Sequence, residues 1–239
     1  MTSTARPTLI GLTGKMGAGK DEVYSRLRFV FGEHIYRRAS FADPLKKSVA
    51  ALFDVSPEVL DAWKNEPQMR VSVLDLKGNG RDLGRSFSVR EILQRYGTEA
   101  HREIFGEDFW VEVAMQELDR QRGKDAMMRV GPYTYVFTDV RFENEARAIE
   151  AAGGVIVRVL GINDDTGDHA SEAGVPDSFI DFEIDNTFRP DRDPELLMQA
   201  MDNGSDEIVK EAQGAARAHL DDEIAKLHAA LSEAPVISS

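Results

Sequence analysis

At 239 residues, 42% of them hydrophobic and 30% charged, the chain has an ordinary globular balance and enough length to bury a sizeable core. It contains no cysteine, which excludes disulfide scaffolds, zinc–cysteine sites, iron–sulfur clusters and thiol catalysis. The net charge of -13 is unevenly spread: residues 1–160 carry 24 Lys and Arg against 23 Asp and Glu, and residues 161–239 carry 5 against 19. That acidity disfavours general nucleic-acid binding but leaves room for a local basic site in the first part. No apolar run approaches the roughly 20 residues that span a bilayer. The opening MTSTARPTLIGLTG has no signal-peptide core followed by a cleavage site, so a cytoplasmic protein with no membrane partner is expected.

In chain order, Thr8–Thr13 (TLIGLT) is a short apolar run ending at glycines and predicts a buried strand. Asp21–Val30 places Val23, Leu27 and Val30 on one helical face. His34–Phe41 predicts a second strand, and Asp43-Pro44 starts a helix with Leu45, Val49 and Leu52 as its stripe. Ser56-Pro57 opens a short helix through Trp63. Residues 64–86 read as irregular, with the basic, glycine-rich loop KGNGRDLG at 77–84. Ser88 and Glu91 have capping-box spacing before a helix, and 108–121 predicts another. Tyr133–Thr138 has strand composition, Glu143–Ala152 is a helix closed by Gly153-Gly154, and Val155–Leu160 is the next strand. Phe182–Ile184 predicts a short last strand. Residues 203–232 are helical by propensity, with Leu220, Ile224, Leu227 and Leu231 on one stripe, either packed on the chain's own domain or forming a homodimer contact. The strand–helix alternation predicts an α/β fold, a parallel sheet with helices on both faces.

Gly14-Lys15-Met16-Gly17-Ala18-Gly19-Lys20-Asp21 fits G-x-x-x-x-G-K with Asp21 in place of the usual Ser or Thr. Glycines let backbone N–H groups turn inward around phosphate oxygens, and the helix that follows presents its positive end to the anion. Lys20 is placed to bridge the β- and γ-phosphates of a nucleoside triphosphate, and Lys15 adds a second cation. Asp21 is a candidate Mg²⁺ ligand, directly or through water. The alternative is a glycine-rich turn with an incidental lysine. The position of the loop, after the first strand and opening a helix, argues against that.

Asp139 follows an apolar strand, as a Walker-B carboxylate does, and is the second candidate Mg²⁺ ligand. Arg141 lies two residues on, at the carboxyl edge of the sheet where open α/β folds bind ligands. The alternative reading makes Asp139 a helix cap and Arg141 a solvated charge. Asp43 is either the N-cap of its helix or a general base for a hydroxyl acceptor. Arg90 and Gln94, four apart, share one helical face and reach a single ligand. Phe109 and Trp110 read as core, with stacking on a base as the alternative.

The sequence resembles the phage deoxynucleoside monophosphate kinases, which are adenylate-kinase-like P-loop kinases. The resemblance runs through GKMGAGKD at 14–21, SFADPLKK at 40–47, SVREILQRYGTEAHRE with DFW over 88–110, TDVRFENEARAIEAAGGVIVRV at 138–159, and His169-Ala-Ser-Glu172-Ala-Gly-Val-Pro176. It implies a three-layer P-loop NTPase fold over 1–202, with an acceptor-binding insertion at about 43–122 and a lid at about 161–176; the acidic helical extension over 203–239 lies outside the match. It implies transfer of the ATP γ-phosphoryl group to a deoxynucleoside 5′-monophosphate. Lys15 and Lys20 would hold donor phosphates; Asp43 and Lys46 would line the acceptor side. Arg90, Gln94, Thr98 and Arg102 would hold the acceptor base or phosphate. Arg141 would clamp the transferring group, and His169 and Glu172 would close the lid.

Two departures from the family pattern stand out, the acidic extension just named and a missing cation. Residues 159–188 contain no Arg or Lys, so Arg158 or Arg141 must serve where a lid arginine is usual. Two rival functions remain: a kinase of the same lineage acting on a hydroxyl, such as a hydroxymethylpyrimidine in DNA, and a non-catalytic nucleotide-binding module.

Overall fold

The apolar run at the start of the chain becomes a strand buried along its whole length, as a strand covered on both faces must be. The computed structural model describes residues 8–66, 68–74, 82–161, 175–203 and 206–233. Its elements are β1 (Leu9–Thr13), α1 (Lys20–Phe31), β2 (Tyr36–Ala39), α2 (Asp43–Leu52), α3 (Pro57–Asn65), β3 (Arg70–Leu74), β4 (Asp82–Ser88), α4 (Val89–Gly97), a π-helical turn (Thr98–Arg102), α5 (Glu103–Phe105), α6 (Phe109–Met127), β5 (Thr134–Phe137), α7 (Glu143–Ala151), β6 (Val155–Gly161), β7 (Phe182–Asn186), α8 (Pro194–Asn203) and α9 (Asp206–Glu233). Two units divide the chain, one comprising Met1–Ser40 with Arg120–Ser239 and the other Phe41–Asp119.

The first unit holds a five-stranded sheet in the order β2-β5-β1-β6-β7. Every pair in it is parallel, so all carboxyl ends share one edge. Alternation along the strands sorts the side chains. Ile10, Leu12, Val136, Val157 and Val159 face a core built with Val23 and Leu27 of α1 and Leu220, Ile224, Leu227 and Leu231 of α9. Residues of opposite parity face α7, where the space above Gly11 is taken by Ile149. Helices therefore cover both faces, the three-layer α/β arrangement expected from the sequence. The α9 stripe is spent on the chain's own core and is not available for a dimer contact. No helix among the described residues is long and apolar enough to cross a membrane.

On the α7 side a buried polar cluster fastens the C-terminal part of α6 to the sheet. Asp125, 6% exposed, accepts both bonds of the Arg37 guanidinium Nη1 (2.8 and 2.9 Å), one from Gln121 (3.0 Å) and one from the Tyr135 hydroxyl. This cluster explains why the helix expected over 108–121 runs on to Met127: tertiary partners hold a Gly- and Asp-containing turn whose propensity is poor.

The second unit packs Val49, Ala50, Leu60 and Val89 beneath Leu45, Trp63, Val71, Ile92 and Tyr96. Ser56 caps α3, and Ser88 and Glu91 form the expected capping box on α4. The stretch 64–86, read as irregular, instead contains the antiparallel pair β3–β4 with Val71 opposite Phe87. β4 takes in the last three residues of KGNGRDLG, and the glycines and charges of that stretch mask any alternation in the sequence.

Candidate active site

The glycines of the 14–19 loop set its path. Gly14, Gly17 and Gly19 all have positive φ (139°, 85° and 96°), a region closed to other residues without strain. The loop therefore wraps between β1 and α1, with Met16 exposed at its apex and Ala18 buried beneath it. Lys20 turns its ammonium back over the loop, donating to the carbonyl oxygens of Gly14 (2.5 Å) and Lys15 (2.9 Å). The N–H groups of Lys20, Asp21 and Glu22 open α1 and have no partner within the helix, which leaves an anion-seeking end beside the loop. Burial and the neighbouring Arg141 guanidinium hold the Lys20 ammonium below the ordinary lysine value, while the Asp21 and Asp139 carboxylates pull it back up. Lys20, Asp21, Asp139 and Arg141 are thus electrostatic neighbours.

Asp139 and Arg141 stand on the turn from β5 to α7. The Val140 N–H donates to the Leu12 carbonyl (3.2 Å), fastening this turn to β1. The Ser40 hydroxyl donates to Asp139 Oδ2 (2.6 Å). Glu145, 4% exposed, accepts from the backbone N–H of Arg141 (2.7 Å) and Phe142 (3.1 Å). The Arg141 backbone is thereby fixed while its side chain stays exposed. Asp21 is also exposed, with Arg38 Nε 4.0 Å away. Arg158 is committed elsewhere: it pairs with Asp177 and Glu183 and donates to the Val175 carbonyl. Of the two arginines considered for the missing lid cation, only Arg141 stands beside Lys20.

The proposed acceptor residues lie in the second unit. Arg90 and Gln94 are exposed on α4, as is Thr98 at the start of the π-helical turn, and Arg102 is half-buried at its end. Lys46 on α2 is paired with Asp61 (2.9 Å), and Asp43 is the first residue of α2. Trp110 is 6% exposed. Its indole N–H donates to the Gly97 carbonyl (3.1 Å), while His101 Nδ1 faces the Tyr96 carbonyl (2.6 Å). These side chains support the turn that carries Thr98 and Arg102, so Trp110 stands under that turn with its polar atom already engaged. A cavity of about 440 Å³ lined by Phe87, Ile92, Arg95, Tyr96, Glu99 and Ala100 includes none of the predicted acceptor residues. His169, Glu172, and Lys77 and Arg81 of the basic loop lie outside the described residues.

Residues 59–188 match the family model for deoxynucleotide monophosphate kinase. A putative deoxynucleotide monophosphate kinase of Acanthamoeba polyphaga mimivirus is 32% identical over 179 residues, covering 69% of this chain and 80% of the relative. The chain belongs to the deoxynucleotide monophosphate kinase family. A deoxynucleoside-5′-monophosphate kinase of Escherichia phage T5 is similar at 25% identity over 234 residues, 75% of this chain and 90% of the relative. Membership makes this protein a phosphotransferase, a nucleoside monophosphate kinase. For a kinase of this family the sequence pattern left three supports unread. They are Ser40 behind Asp139, Glu145 behind Arg141, and Asn186, whose side chain donates to the Ala18 carbonyl of the loop (2.9 Å). Glu145 was legible in principle, as a carboxylate four residues after Arg141 at a helix start. Asn186 was not, because only the sheet order brings it to the loop.

Proposed function

We propose that the protein transfers the γ-phosphoryl group of ATP to a deoxynucleoside 5′-monophosphate, giving ADP and the deoxynucleoside diphosphate. The observation that carries this reading is the pairing of the Gly14–Gly19 loop and its inturned Lys20 with Asp139 and Arg141, both braced at one sheet edge. In this reading the first unit takes the donor: loop N–H groups, Lys15 and Lys20 bind its phosphates. The second unit is the acceptor-binding insertion, with Arg90, Gln94, Thr98 and Arg102 as the acceptor's partners and Lys46 and Asp43 beside them.

The acceptor phosphate is largely dianionic at pH 7, its second pKa being about 6. One of its oxygens forms the new bond to the γ-phosphorus, the bond from that phosphorus to the bridging oxygen breaks, and ADP leaves with the electron pair. No proton has to be removed first, so no general base is required. The demand is for cations that offset repulsion between two polyanions and the charge spread over the transferring group. Lys20, held by the loop carbonyls, and Arg141, on a braced backbone, meet that demand.

Mg²⁺ fits these residues in a limited sense. Among the described residues no group of three or more His, Cys, Asp or Glu forms a metal cage. A Mg²⁺ held mainly by phosphates needs only one or two protein carboxylates. Asp139, oriented by Ser40, and Asp21 would hold it, directly or through water, and it would supply positive charge against the phosphates.

Coupled measurement of ADP release with each deoxynucleoside and ribonucleoside monophosphate, and with hydroxymethylated DNA, tests this reading. Turnover of one or more free deoxynucleoside monophosphates is expected. Turnover on the polymer alone would replace this reading with hydroxyl transfer. Asp43→Asn separates the two further, since only a hydroxyl acceptor depends on a base.

A further inference from the structure

We infer that Asn186 is a positioning residue for donor binding: its buried amide sets the direction of the Ala18–Gly19 peptide and with it the aim of the Gly19 N–H. The inference rests on the reading of residues 14–21 as the ATP site. Asn186 closes β7 and is 3% exposed, and Ala18 is 2% exposed. Across a planar trans peptide the C=O and the following N–H point in opposite directions. With the Ala18 carbonyl held toward Asn186 Nδ2 at 2.9 Å, the Gly19 N–H is turned away from β7, to the side on which a bound anion would be gripped.

The packing around this peptide is close. A Cβ on Gly19 would lie 2.2 Å from Asn186 Nδ2, and one on Gly161, at the end of β6, would lie 2.4 Å from Ala18 Cα. The ends of β6 and β7 therefore form a floor against which the loop lies flush. Asn186 is itself held on both sides. The Asp185 N–H donates to Glu223 of α9 (3.2 Å), and the Asp185 carboxylate accepts from the Thr187 N–H (2.8 Å) and hydroxyl (2.6 Å). Three residues on, Arg189 binds Glu22 in the first turn of α1 (2.6 Å) while its other nitrogens grip Asp191 (3.0 Å each). The end of β7 and the segment after it thus fix the loop and the helix start that follows it.

Asn186→Asp keeps the shape, removes the donor and adds a negative charge; Asn186→Ser keeps a donor on a shorter arm and adds no charge. Direct titration of each with ATP, with the melting temperature recorded alongside, tests the assignment. Loss of one well-aimed hydrogen bond to a charged phosphate corresponds to about tenfold weaker ATP binding in Asn186→Asp. Asn186→Ser is expected to fall between this variant and the unsubstituted protein, and KM for the acceptor is expected to stay within about twofold in both, since the effect is confined to donor binding. Unchanged ATP affinity in Asn186→Asp overturns the assignment, as does a matching rise in acceptor KM. Collapse of the melting temperature in both variants overturns it as well, by making Asn186 a residue of the fold alone. If the unsubstituted protein binds ATP no better than Lys20→Ala, the reading of the loop itself has failed, and this inference falls with it.

Discussion

The Ser40 hydroxyl donates to Asp139 Oδ2 at 2.6 Å, joining the residue after β2 to the carboxylate beyond β5. Adjacent parallel strands deliver both to the same edge, so the bond selects one rotamer of Asp139. Ser40→Ala is expected to lower kcat several-fold and to raise the Mg²⁺ concentration needed for half-maximal ADP formation, with little change in melting temperature. Asp139→Asn is expected to cost more, about 100-fold in kcat, in line with loss of one preorganised electrostatic group. Mg²⁺ titrations of ADP release check both; an unaltered Mg²⁺ requirement in both variants would remove Asp139 from metal binding.

Lys20 is a cation partly withdrawn from water, and burial together with Arg141 disfavours its charged form. Its lowered value means that holding the charge costs folding free energy at neutral pH, a cost relieved as pH rises through the folded value toward the ordinary one near 10.4. On the proposed reading a bound polyphosphate would supply the missing countercharge. Lys20→Met is therefore expected to leave the melting temperature of the free protein within a few degrees of the original, to abolish the rise that ATP produces, and to reduce kcat by at least about 100-fold. Differential scanning fluorimetry with and without ATP measures the first two.

Arg141 lies beyond the end of β5 and Arg158 within β6, the two strands on either side of β1. Arg141→Ala is expected to lower kcat more than it raises either KM, the signature of an interaction made in the transition state. Arg158→Ala removes ion pairs to Asp177 and Glu183. It is expected to leave kcat within about twofold and to cost about 1 kcal/mol of stability or less. Steady-state kinetics with both substrates varied separates the two; a larger kcat loss for Arg158→Ala would reverse the assignment.

The Asp125 cluster predicts a pH profile of stability. Burial alone raises the Asp125 carboxyl, but hydrogen bonds from Tyr135 and Gln121 and the Arg37 charge together hold it below the ordinary carboxylate value. Its contribution is present above the unfolded value near 3.9 and is lost as pH falls through the folded one. Burial and Asp125 push the Tyr135 hydroxyl up to about 12, so that contribution holds below the unfolded value near 10 and is lost as pH rises through about 12. Asp125→Asn is expected to cost about 2 kcal/mol at pH 7, the worth of hydrogen bonds to a charged group. The gap to the original protein should narrow below pH 4, as calorimetry across pH would record.

Local signals carried most of the architecture. Thr8–Thr13, Tyr133–Thr138 and Val155–Leu160 are apolar runs bounded by glycine or polar residues, and each is a strand within a residue or two. Gly14–Asp21 has a shape dictated by its glycines. The β3–β4 pair was illegible because the glycines and charges of KGNGRDLG dominate the composition of that stretch. The supports of the site were illegible for another reason. Ser40 meets Asp139, and Asn186 meets Ala18, across 99 and 168 residues of chain, and no periodicity reports which strand ends become neighbours.

Helix α9 lies beyond the segment 59–188 that carries the family match, and strands β1 and β2 lie before it. Yet Leu220, Ile224, Leu227 and Leu231 are at most 4% exposed and complete the core over one sheet face, and Arg26 of α1 is clamped to Asp221. A fragment trimmed to the matched segment would bare an apolar sheet face along unpaired strand edges and would precipitate before it met a nucleotide. The stretch by which this enzyme is recognised is thus shorter than the stretch that survives in water.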